Sequence, residues 1–411
     1  MPEDRTIVIV GAGHAGVQLA ASLREEGHEG PITLVSDDPR LPYQRPPLSK
    51  AFMKREAEAD ALILRGPGFY EQKRIDLRLG ASARSIDRAA KRLILASGES
   101  IPYSRLVLAT GGLARPFKVP GAEFAGVHVL RDMGDAEALR DRLENSRGVV
   151  VIGAGFIGLE FAAVAARSGL KTTIVEVAPR VMGRAVSPAI SDFYAEAHRG
   201  FGAEVLLGAG VAAIDGADGK ARGVTLGDGR VLPADFVVVG VGVVARDGLA
   251  REAGLDCPNG VRVDALMTTS DPDIFAIGDV ALHPNAWGER EMRLESVQNA
   301  TDQARALART LTGKPTPYAA LPWFWSDQGD LKLQMVGLMD MADMFVTRGD
   351  PASRAFSVFG FRAGRLVGVE SVNKPADHMI ARKLIPAGAA LTPAQAADAG
   401  FDLKALAKAA G

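Results

Sequence analysis

Glycine-rich turns, each followed by a carboxylate, are the residues of this chain whose types and spacing are most suited to chemistry. The first turn is Gly11-Ala12-Gly13-His14-Ala15-Gly16, and Asp37 ends the next strand-like segment. In such a turn the first glycine permits a tight bend, the second lets the backbone approach a pyrophosphate, and the third lets the helix pack on the strand. The N–H groups that open the helix face the phosphates, and the carboxylate can bind a ribose. The sequence therefore predicts a bound dinucleotide here.

The same pattern occurs a second time. Its turn is Gly153-Ala154-Gly155-Phe156-Ile157-Gly158, and Glu176 ends the strand-like segment that follows. Two complete copies predict two dinucleotides and hence electron transfer between them. A carboxylate at the adenosine ribose favours NAD, because the 2′-phosphate of NADP would meet like charge. Arg180 and Arg184 lie downstream and leave a phosphate-binding alternative open.

Two single side chains could also act on a bound ring. Lys50 ends a loop stiffened by Pro46 and Pro47, so its cation suits the polar edge of a ring. A solvated lysine at a structural turn is the alternative. Asp279 ends a strand-like segment in Gly278-Asp279 and is expected to bind a ligand, with a helix N-cap as the alternative.

Small and aromatic residues indicate further places where a ligand could approach. The residues Ala109, Thr110 and Gly111 form a small-residue turn after a buried strand, and Gly242 ends another apolar segment. A long helix is expected at about 296–311, and its N-terminus would stabilise negative charge on a reduced flavin. Trp325 could line that ring, whereas Trp323 is expected in the core.

The elements that must position these residues follow the hydrophobic pattern. Buried strands are expected at 6–10, 32–36, 148–152 and 171–175, and helices follow the two glycine turns. From residue 321 the pattern changes to four short strands (331–338, 343–348, 355–361, 366–372) and two helices (376–385, 393–407). The sequence predicts the α/β class, with two Rossmann-like dinucleotide-binding domains and a C-terminal α+β domain.

Composition narrows the functional class. The chain has 411 residues, is 47% hydrophobic and 24% charged, and carries a net charge of −1, which argues against a general nucleic-acid binder. The charged start of the chain, residues 1–5, indicates no signal peptide, and the apolar run at 236–245 is too short to span a membrane. Cys257 is the single cysteine, so one chain has neither a disulfide nor a CxxC pair. We expect a cytoplasmic protein without a bound metal.

Together the motifs resemble the NADH-dependent ferredoxin reductases of bacterial cytochrome P450 and Rieske oxygenase systems, the putidaredoxin reductase type. Besides the two glycine turns, the matching segments are Arg45-Pro-Pro-Leu-Ser-Lys50, Ala109-Thr-Gly-Gly112, Gly158-Leu-Glu160, Ala276-Ile-Gly-Asp279, Glu295-Ser-Val-Gln-Asn-Ala300 and Trp323-Phe-Trp-Ser-Asp-Gln328. The resemblance covers the whole chain and implies a glutathione-reductase-like fold. It implies an FAD-binding domain in two parts, 1–112 and 248–326, an NAD-binding domain at 113–247 and a C-terminal domain at 327–411.

The motifs and the resemblance assign residues to each cofactor. The FAD-binding candidates are Gly11, Gly13, His14, Ala15, Gly16, Asp37, Arg45, Lys50, Ala83, Ala109, Thr110, Gly111, Arg131, Gly278, Asp279, Val297 and Trp325. The NADH-binding candidates are Gly153, Gly155, Phe156, Ile157, Gly158, Glu160, Glu176 and Gly242. The resemblance implies that Lys50 and Glu160 pair near the nicotinamide, and we expect them to be the catalytic residues.

The absence of a redox cysteine pair determines how the electrons are expected to leave the flavin. NADH delivers a hydride to the flavin, and without a cysteine pair the electrons must leave singly, to a [2Fe–2S] ferredoxin. An acidic ferredoxin is expected to dock by local charge, with Arg305, Arg309 and Lys314 as candidates; the alternative is that Arg305 only pairs with Asp302 and that Arg309 lies in solvent. We expect a monomer or weak dimer, without a nucleic-acid or membrane partner.

Other acceptors remain open, because monodehydroascorbate, rubredoxin and quinone reductases share nearly every motif and differ in their docking surfaces. A quinone reductase that works at a membrane usually needs an amphipathic or spanning tail, and the sequence shows none. NADH oxidases and peroxidases carry a reactive cysteine in the loop at 38–50, where this chain has none. A non-enzymatic alternative is an NADH-sensing flavoprotein similar to apoptosis-inducing factor.

Overall fold

The structure is a computed structural model that describes residues 5–410. Residues 1–4, which make up most of the charged N-terminal segment, lie outside the described residues. In chain order the strands are β1 Ile7–Val10, β2 Ile32–Val35, β3 Ile75–Arg78, β4 Ala83–Asp87, β5 Arg92–Leu95, β6 Ser100–Pro102, β7 Arg105–Leu108, β8 Gly112–Ala114, β9 Val127–His128, β10 Gly148–Ile152, β11 Lys171–Glu176, β12 Ala203–Leu207, β13 Val211–Ala217, β14 Lys220–Leu226, β15 Val231–Pro233, β16 Phe236–Val239, β17 Val243–Ala245, β18 Val261–Arg262, β19 Ile274–Ala276, β20 Ala281–Asn285, β21 Arg290–Met292, β22 Trp323–Gln328, β23 Leu331–Gly337, β24 Met344–Arg348, β25 Phe356–Arg362 and β26 Arg365–Val372.

The α-helices, again in chain order, are α1 His14–Glu25, α2 Pro67–Gln72, α3 Met133–Asn145, α4 Phe156–Arg167, α5 Pro188–Gly200, α6 Gly248–Glu252, α7 Val297–Leu311, α8 Pro375–Leu384, α9 Pro393–Ala397 and α10 Leu403–Ala410. Single turns of 3₁₀ helix occur at Pro46–Ser49, Ala59–Leu62, Gly278–Val280, Met339–Met341 and Pro351–Ser353. Within residues 5–410, none of the helices combines the length and the apolar character needed to cross a membrane.

Packing divides the chain into two units. The first comprises the chain as far as Gln44, Asp60–Leu113 and Val243–Pro322; the second comprises Arg45–Ala59, Ala114–Gly242 and the chain from Trp323 onward. The sequence-based division gives residues 45–59 to the FAD-binding domain, whereas in the structure they pack with the second unit. The domain boundaries at 112, 247 and 326 stay predictions.

A parallel five-stranded sheet, in the order β19-β7-β1-β2-β3, forms the centre of the first unit. Strands β1 and β2 are buried along their whole length, because branched apolar side chains fill both faces of the sheet. Helix α1 packs against α7 beside it. The glycine turn after β1 therefore lies at the carboxyl edge of a central strand, which is where open α/β sheets bind ligands.

The second unit repeats this architecture. Its parallel sheet has the order β12-β11-β10-β16-β9, and β10 again leads into a glycine turn from a central position. Helix α4 follows the turn and packs both on β11 and on β22. The carboxyl edge of this sheet thus presents the second dinucleotide turn.

The same unit also contains an antiparallel sheet formed by the C-terminal part of the chain, in the order β22-β23-β26-β25-β24. Its first strand, β22, is absent from the sequence-based expectations. Along β22 Ser326 and Gln328 are buried, whereas the aromatic residues at 323–325 are only partly buried. The expectation that Trp323 lies in the core is therefore wrong: its ring is partly exposed and lies 4.8 Å from the Arg382 guanidinium.

The prediction of a single helix at 393–407 is also wrong, because the structure has two helices, α9 and α10, in its place. Arg348 on β24 donates hydrogen bonds to the carbonyl groups of Ala399 and Phe401 at 3.1 and 2.9 Å and also bonds the Asp398 carbonyl. Asp402 then caps α10 through the N–H group of Lys404 at 2.9 Å. A distant arginine thus stabilises an irregular segment that local helix propensity does not reveal.

Candidate functional site

The first glycine turn leaves open space at its central residue. A Cβ atom added to Gly11 would lie 2.2 Å from the Ala109 carbonyl oxygen, and one added to Gly16 would lie 1.9 Å from the Gly11 carbonyl oxygen. A Cβ atom added to Gly13, chain neighbours aside, meets no atom of the described residues within 4 Å. The outer glycines are therefore required by the packing of the protein itself, whereas the space at Gly13 fits a pyrophosphate at the start of α1.

Asp37 belongs to a small network beside this turn. Its Oδ2 accepts a hydrogen bond from Arg246 Nη2 at 2.5 Å, and both side chains are partly exposed, at 40% and 44%. Thr110 Oγ1 donates to the Arg246 carbonyl group at 2.7 Å, and the Arg246 N–H group donates to the Gly111 carbonyl group at 2.9 Å. The structure thus joins Asp37 to the predicted small-residue turn through Arg246, which no sequence motif identified.

The Gly278-Asp279 segment is held by α7 in the same unit. Gly278 has φ of 76°, and a Cβ atom there would lie 3.1 Å from the Ala15 Cβ, so two predicted FAD residues are neighbours. The Gly278 N–H group donates to Oε1 of the buried Gln303 at 2.7 Å, and Arg293 Nη1 donates to the Asp279 carbonyl group at 2.9 Å. Asp279 therefore lies within a 3₁₀ turn rather than at a helix N-cap.

The other predicted residues of the first unit lie at the ends of elements. His14 opens α1, Ala83 opens β4 and Val297 opens α7, whose N-cap is Ser296. Gln303 and Arg293, which hold the Gly278-Asp279 segment, were missed because their partners are backbone groups and no motif marks them.

The second glycine turn repeats the geometry of the first. A Cβ atom added to Gly153 would lie 2.5 Å from the Gly240 carbonyl oxygen, and one at Gly158 would lie 2.3 Å from the Gly153 carbonyl oxygen. At Gly155 the nearest atom is the Gly240 oxygen at 3.9 Å, an ordinary contact distance. This turn therefore also fits a group that approaches its central glycine.

Glu176 accepts hydrogen bonds from two backbone N–H groups, one of which belongs to the second glycine turn. Its Oε2 accepts from Ala154 at 2.7 Å and its Oε1 accepts from Ala178 at 2.8 Å. Of the two arginines that could bind a 2′-phosphate, Arg180 donates to the carbonyl groups of Gly183 and Val186 at 2.8 and 3.3 Å. Both terminal nitrogens of Arg180 thus donate to its own loop.

Arg184 lies beside Gly242 in the second unit. A Cβ atom added to Gly242 would be 3.7 Å from Arg184 Nη2 and 3.7 Å from Arg115 Nε. Gly242 itself has φ of 107°, which favours glycine. The structure thus brings two cations to one of the predicted NADH-binding residues.

Lys50 and Glu160 form the ion pair that the resemblance implies. Lys50 Nζ lies 2.6 Å from Glu160 Oε2, and the two side chains are 16% and 4% exposed. Ser49 Oγ donates to the same oxygen at 2.5 Å, while Ser326 Oγ donates to Glu160 Oε1 at 2.6 Å. Both carboxylate oxygens are therefore satisfied by hydrogen bonds, as a buried charge requires.

Sequence reasoning missed both serines. Ser49 lies within the motif that ends at Lys50, where nothing in its sequence distinguishes it from a loop residue, and Ser326 lies on β22. No local signal connects Ser326 with Glu160, because α4 and β22 are distant along the chain.

The segment that carries Lys50 is fixed by contacts with α3 and its N-terminal flank. Arg140 on α3 donates to both Glu58 oxygens at 3.1 Å, and its guanidinium lies 4.3 Å from the centre of the Phe52 ring. Arg45 Nη1 donates to the Arg131 carbonyl group at 2.8 Å. Two predicted FAD residues are thus brought together, and the 3₁₀ turn before Lys50 is anchored.

Three aromatic residues of β22 form a cluster with Phe156 of α4. The Trp325 ring is partly buried and its centre lies 5.7 Å from that of Trp323, while the Phe156 and Phe324 rings lie 4.7 Å apart. Phe156 opens α4 and Ile157 is partly exposed beside it. The Trp325 ring is therefore accessible enough to line a flavin ring, and within the described residues it packs beside Trp323.

The cations proposed for docking all have partners. Arg305 Nη1 lies 2.9 Å from Asp302 Oδ1, so the alternative pairing of these two residues is present. Arg309 and Lys314 both contact Glu26, at 3.4 and 2.9 Å, and Arg309 is 55% exposed to solvent. These side chains are still more than half exposed, and three cations share two anions.

These sites and folds define a class of flavin and nicotinamide oxidoreductases. The chain belongs to the pyridine nucleotide-disulphide oxidoreductase family, whose profile matches residues 5–304, and a profile described as reductase C-terminal matches residues 323–407. The predicted α/β class with a C-terminal domain is thereby confirmed, as is the prediction of an oxidoreductase.

Particular relatives are similar over nearly the whole chain. Rhodocoxin reductase of Rhodococcus erythropolis is 50% identical over 97% of this chain and 93% of its own length. The crystal structure of a ferredoxin reductase for the CYP199A2 system from Rhodopseudomonas palustris is 49% identical, with a TM-score of 0.96 and coverage of 99% and 100%. The reductase of the covalent putidaredoxin reductase–putidaredoxin complex is 39% identical, with a TM-score of 0.96 and coverage of 99% of each chain. The predicted resemblance to this type of reductase is confirmed.

Proposed function

We propose that the chain is an NADH-dependent ferredoxin reductase that passes electrons from NADH through FAD to a [2Fe–2S] ferredoxin serving a cytochrome P450 monooxygenase. The observation that carries the proposal is the pair of glycine turns, each open at its central glycine, in a chain without a redox cysteine pair. Cys257 is buried, and burial raises the pKa of its thiol to about 11. A thiol of this kind is unreactive at neutral pH, so the electrons must leave without a protein disulfide.

FAD, when bound, would accept a hydride from NADH and release the electrons singly to a one-electron acceptor. The protein would hold its pyrophosphate at the N–H groups that follow Gly13 and its adenosine ribose at Asp37. Arg246 would keep the Asp37 carboxylate in place, because it donates to it from the neighbouring turn. We propose that the other FAD-binding candidates named above also contact the cofactor.

NADH rather than NADPH is the proposed donor. Glu176 would accept hydrogen bonds from the adenosine ribose, and its negative charge would oppose a 2′-phosphate. The positions of the arginines support this preference, because Arg180 donates mainly to its own loop and Arg184 lies at Gly242. The central glycine of this turn, Gly155, would face the pyrophosphate.

Lys50 is the proposed catalytic residue on the protein side, and Glu160 its partner. An ammonium group fixed by a buried carboxylate cannot drift into solvent, so its charge is available where negative charge develops on reduction. Glu160 would orient Lys50 and contribute to the position of the nicotinamide. Neither residue needs to transfer a proton for the hydride to move.

The proposed partner is an acidic [2Fe–2S] ferredoxin. The relative in complex with putidaredoxin supports a ferredoxin, and the relative that serves the CYP199A2 system supports a P450-linked one. Docking is proposed to use local charge, since the net charge of −1 gives no global attraction. We also propose a cytoplasmic monomer or weak dimer.

Reconstitution tests the proposal. The purified protein should be yellow with stoichiometric FAD, and apoprotein refolded with FMN should stay inactive, because FMN lacks the AMP half held by Asp37. NADH oxidation should be fast only with a [2Fe–2S] ferredoxin, and a P450-linked ferredoxin should give a higher kcat/KM than a Rieske-type one. Slow turnover with a long-lived charge-transfer complex would instead support the NADH-sensing alternative, and equal activity with FMN would contradict the assignment of the first turn.

A further inference from the structure

A chain of buried polar side chains leads from His198 on α5, through two residues of the C-terminal sheet, to Glu160. His198 Nε2 lies 2.8 Å from Gln328 Oε1, Gln328 Nε2 lies 3.2 Å from Ser326 Oγ, and Ser326 Oγ lies 2.6 Å from Glu160 Oε1. His198, Gln328 and Ser326 are each 0% exposed. All of these residues belong to the second unit, and β22 supplies two of them from the same face of the strand.

The direction of donation along this chain is fixed by the groups at its two ends. A carboxylate only accepts, so Ser326 donates to Glu160 and must itself accept from the Gln328 amide. The Gln328 oxygen then accepts from His198, which places the imidazole proton on Nε2. Gln328 Nε2 also lies 3.5 Å from Met182 Sδ, an acceptor, which agrees with this orientation of the amide.

The imidazole at the far end is neutral. Burial lowers the pKa of His198 to about 4, and its Nδ1 has no hydrogen-bond partner among the described residues. The three hydrogen bonds of the chain therefore all donate towards Glu160, and reversing one of them would leave a further buried donor or acceptor unpaired. Such a chain holds one orientation of the carboxylate.

We propose that Ser326, supported by Gln328, is a positioning residue for the reaction at Lys50, and that the C-terminal sheet thereby helps to set the rate at which NADH reduces the flavin. Glu160 Oε2 already binds both Lys50 and Ser49, so Ser326 is the group that fixes Oε1. Without it the carboxylate can rotate, and the Lys50 ammonium loses its fixed direction. This inference rests on the proposed function, because it needs FAD and NADH as reactants.

A purely structural role for Ser326 would give a different result. Removing a buried hydroxyl lowers stability whatever it contacts, so loss of stability alone does not support positioning. Ser357 offers a matched control: it is 0% exposed, lies in the same sheet, and bonds Ser371 and Asp377 at 3.0 and 2.8 Å. Both serine-to-alanine variants should lower the melting temperature. Only Ser326→Ala should change the rate of flavin reduction and the FAD midpoint potential.

The experiment compares Ser326→Ala, Ser326→Thr and Ser357→Ala as FAD-loaded proteins, with stopped-flow reduction by NADH and the FAD midpoint potential as readouts. Ser326→Ala should slow reduction at least tenfold without raising the NADH dissociation constant, and should shift the potential in the same, more negative direction as Lys50→Ala. Ser326→Thr, which keeps the hydroxyl, should recover to within threefold of the wild type. Ser357→Ala should leave both readouts unchanged.

A double variant decides whether the two residues act together. Lys50→Ala with Ser326→Ala should be no slower than Lys50→Ala alone, because the serine has nothing left to position.

Should Ser326→Ala fail to fold, Gln328→Met removes the support of Ser326 at similar volume, and the same slowing is expected. The inference is overturned if Ser326→Ala and Ser357→Ala behave alike while the wild type is reduced normally. A wild type that binds no FAD, or is not reduced by NADH, would instead overturn the proposed function on which it rests.

Discussion

The carboxylate of Glu176 and the backbone of Ala154 are joined directly: Ala154 donates its N–H group to Oε2 at 2.7 Å. This bond ties the end of β11 to the residue between the first two glycines of the second turn. A ribose bound there would meet a carboxylate whose position is already fixed, which reduces the ordering that binding requires.

Glu176→Ala should weaken the preference for NADH over NADPH, mainly by raising the KM for NADH. Two ribose hydrogen bonds to a charged acceptor are worth about 2–4 kcal/mol. Steady-state kinetics with both nucleotides and a ferricyanide acceptor measure the effect. Glu204→Ala is the control, because Glu204 is an exposed carboxylate on the neighbouring strand and contacts Thr173 at 3.2 Å. A wild type that prefers NADPH would show that Arg184 or Arg180 outweighs Glu176.

Lys50→Ala should slow flavin reduction by NADH far more than it lowers FAD content, by about tenfold or more. It should also destabilise the fold by about 3–5 kcal/mol, because it leaves the nearly buried carboxylate of Glu160 without its cation. Lys54→Ala provides the comparison in the same segment, since Lys54 is 40% exposed and pairs with the exposed Glu56 at 2.9 Å. If the Lys50 variant is reduced at the wild-type rate, this lysine has only a structural role.

Glu370 makes stability depend on pH in a direction opposite to that of most carboxylates. It is 0% exposed on β26, both of its oxygens accept from the Ser187 N–H group at 3.1 Å, and burial raises its pKa from 4.5 to about 7. The folded protein therefore binds this proton more tightly than the unfolded chain does. Stability should be unaffected below pH 4.5, decline between pH 4.5 and 7, and stay lower above that range.

Glu370→Gln should accordingly be more stable than the wild type at pH 8, by an amount on the order of 3 kcal/mol, and should match it at low pH. Calorimetric melting temperatures at acidic and alkaline pH measure the difference. Glu252→Gln changes an exposed carboxylate on α6 and should show no such crossover. A Glu370→Gln variant that is less stable than the wild type at both pH values would contradict the raised pKa.

Arg305→Glu should lower ferredoxin-dependent kcat/KM severalfold while leaving ferricyanide reduction unchanged. Opposite charges steer encounter, and salt shortens the Debye length to about 8 Å at physiological strength, so the ferredoxin rate of the wild type should fall steeply with salt. Arg251→Glu is the control, because Arg251 is similarly exposed and pairs with Asp247 at 2.9 Å. A flat salt response with the native ferredoxin would reject charge steering, and a normal Arg305 variant would place the docking site elsewhere.

The parts of the fold that sequence reasoning predicted are those with strong local signals. The strands before Gly11 and Gly153 and the helices after them are dictated by runs of branched residues that end at glycines, and the Lys50–Glu160 pair followed from the resemblance. The split between α9 and α10 could not be predicted, since it depends on Arg348 reaching carbonyl groups from another strand. Ser326 was missed for the same reason: its importance comes from a partner on α4 rather than from its neighbours in sequence.

Gly13 and Gly155 have backbone conformations that any residue adopts, with φ of −78° and −79°. With no clash awaiting a methyl group at either position, folding alone does not account for these glycines. Alanine at Gly13 or at Gly155 should therefore give a well-folded protein with one sterically blocked nucleotide site. The two positions would control the loading of the two nucleotides separately. A Gly155 variant would keep FAD but lose NADH, so that electron exit from chemically reduced flavin could be studied without electron entry from NADH.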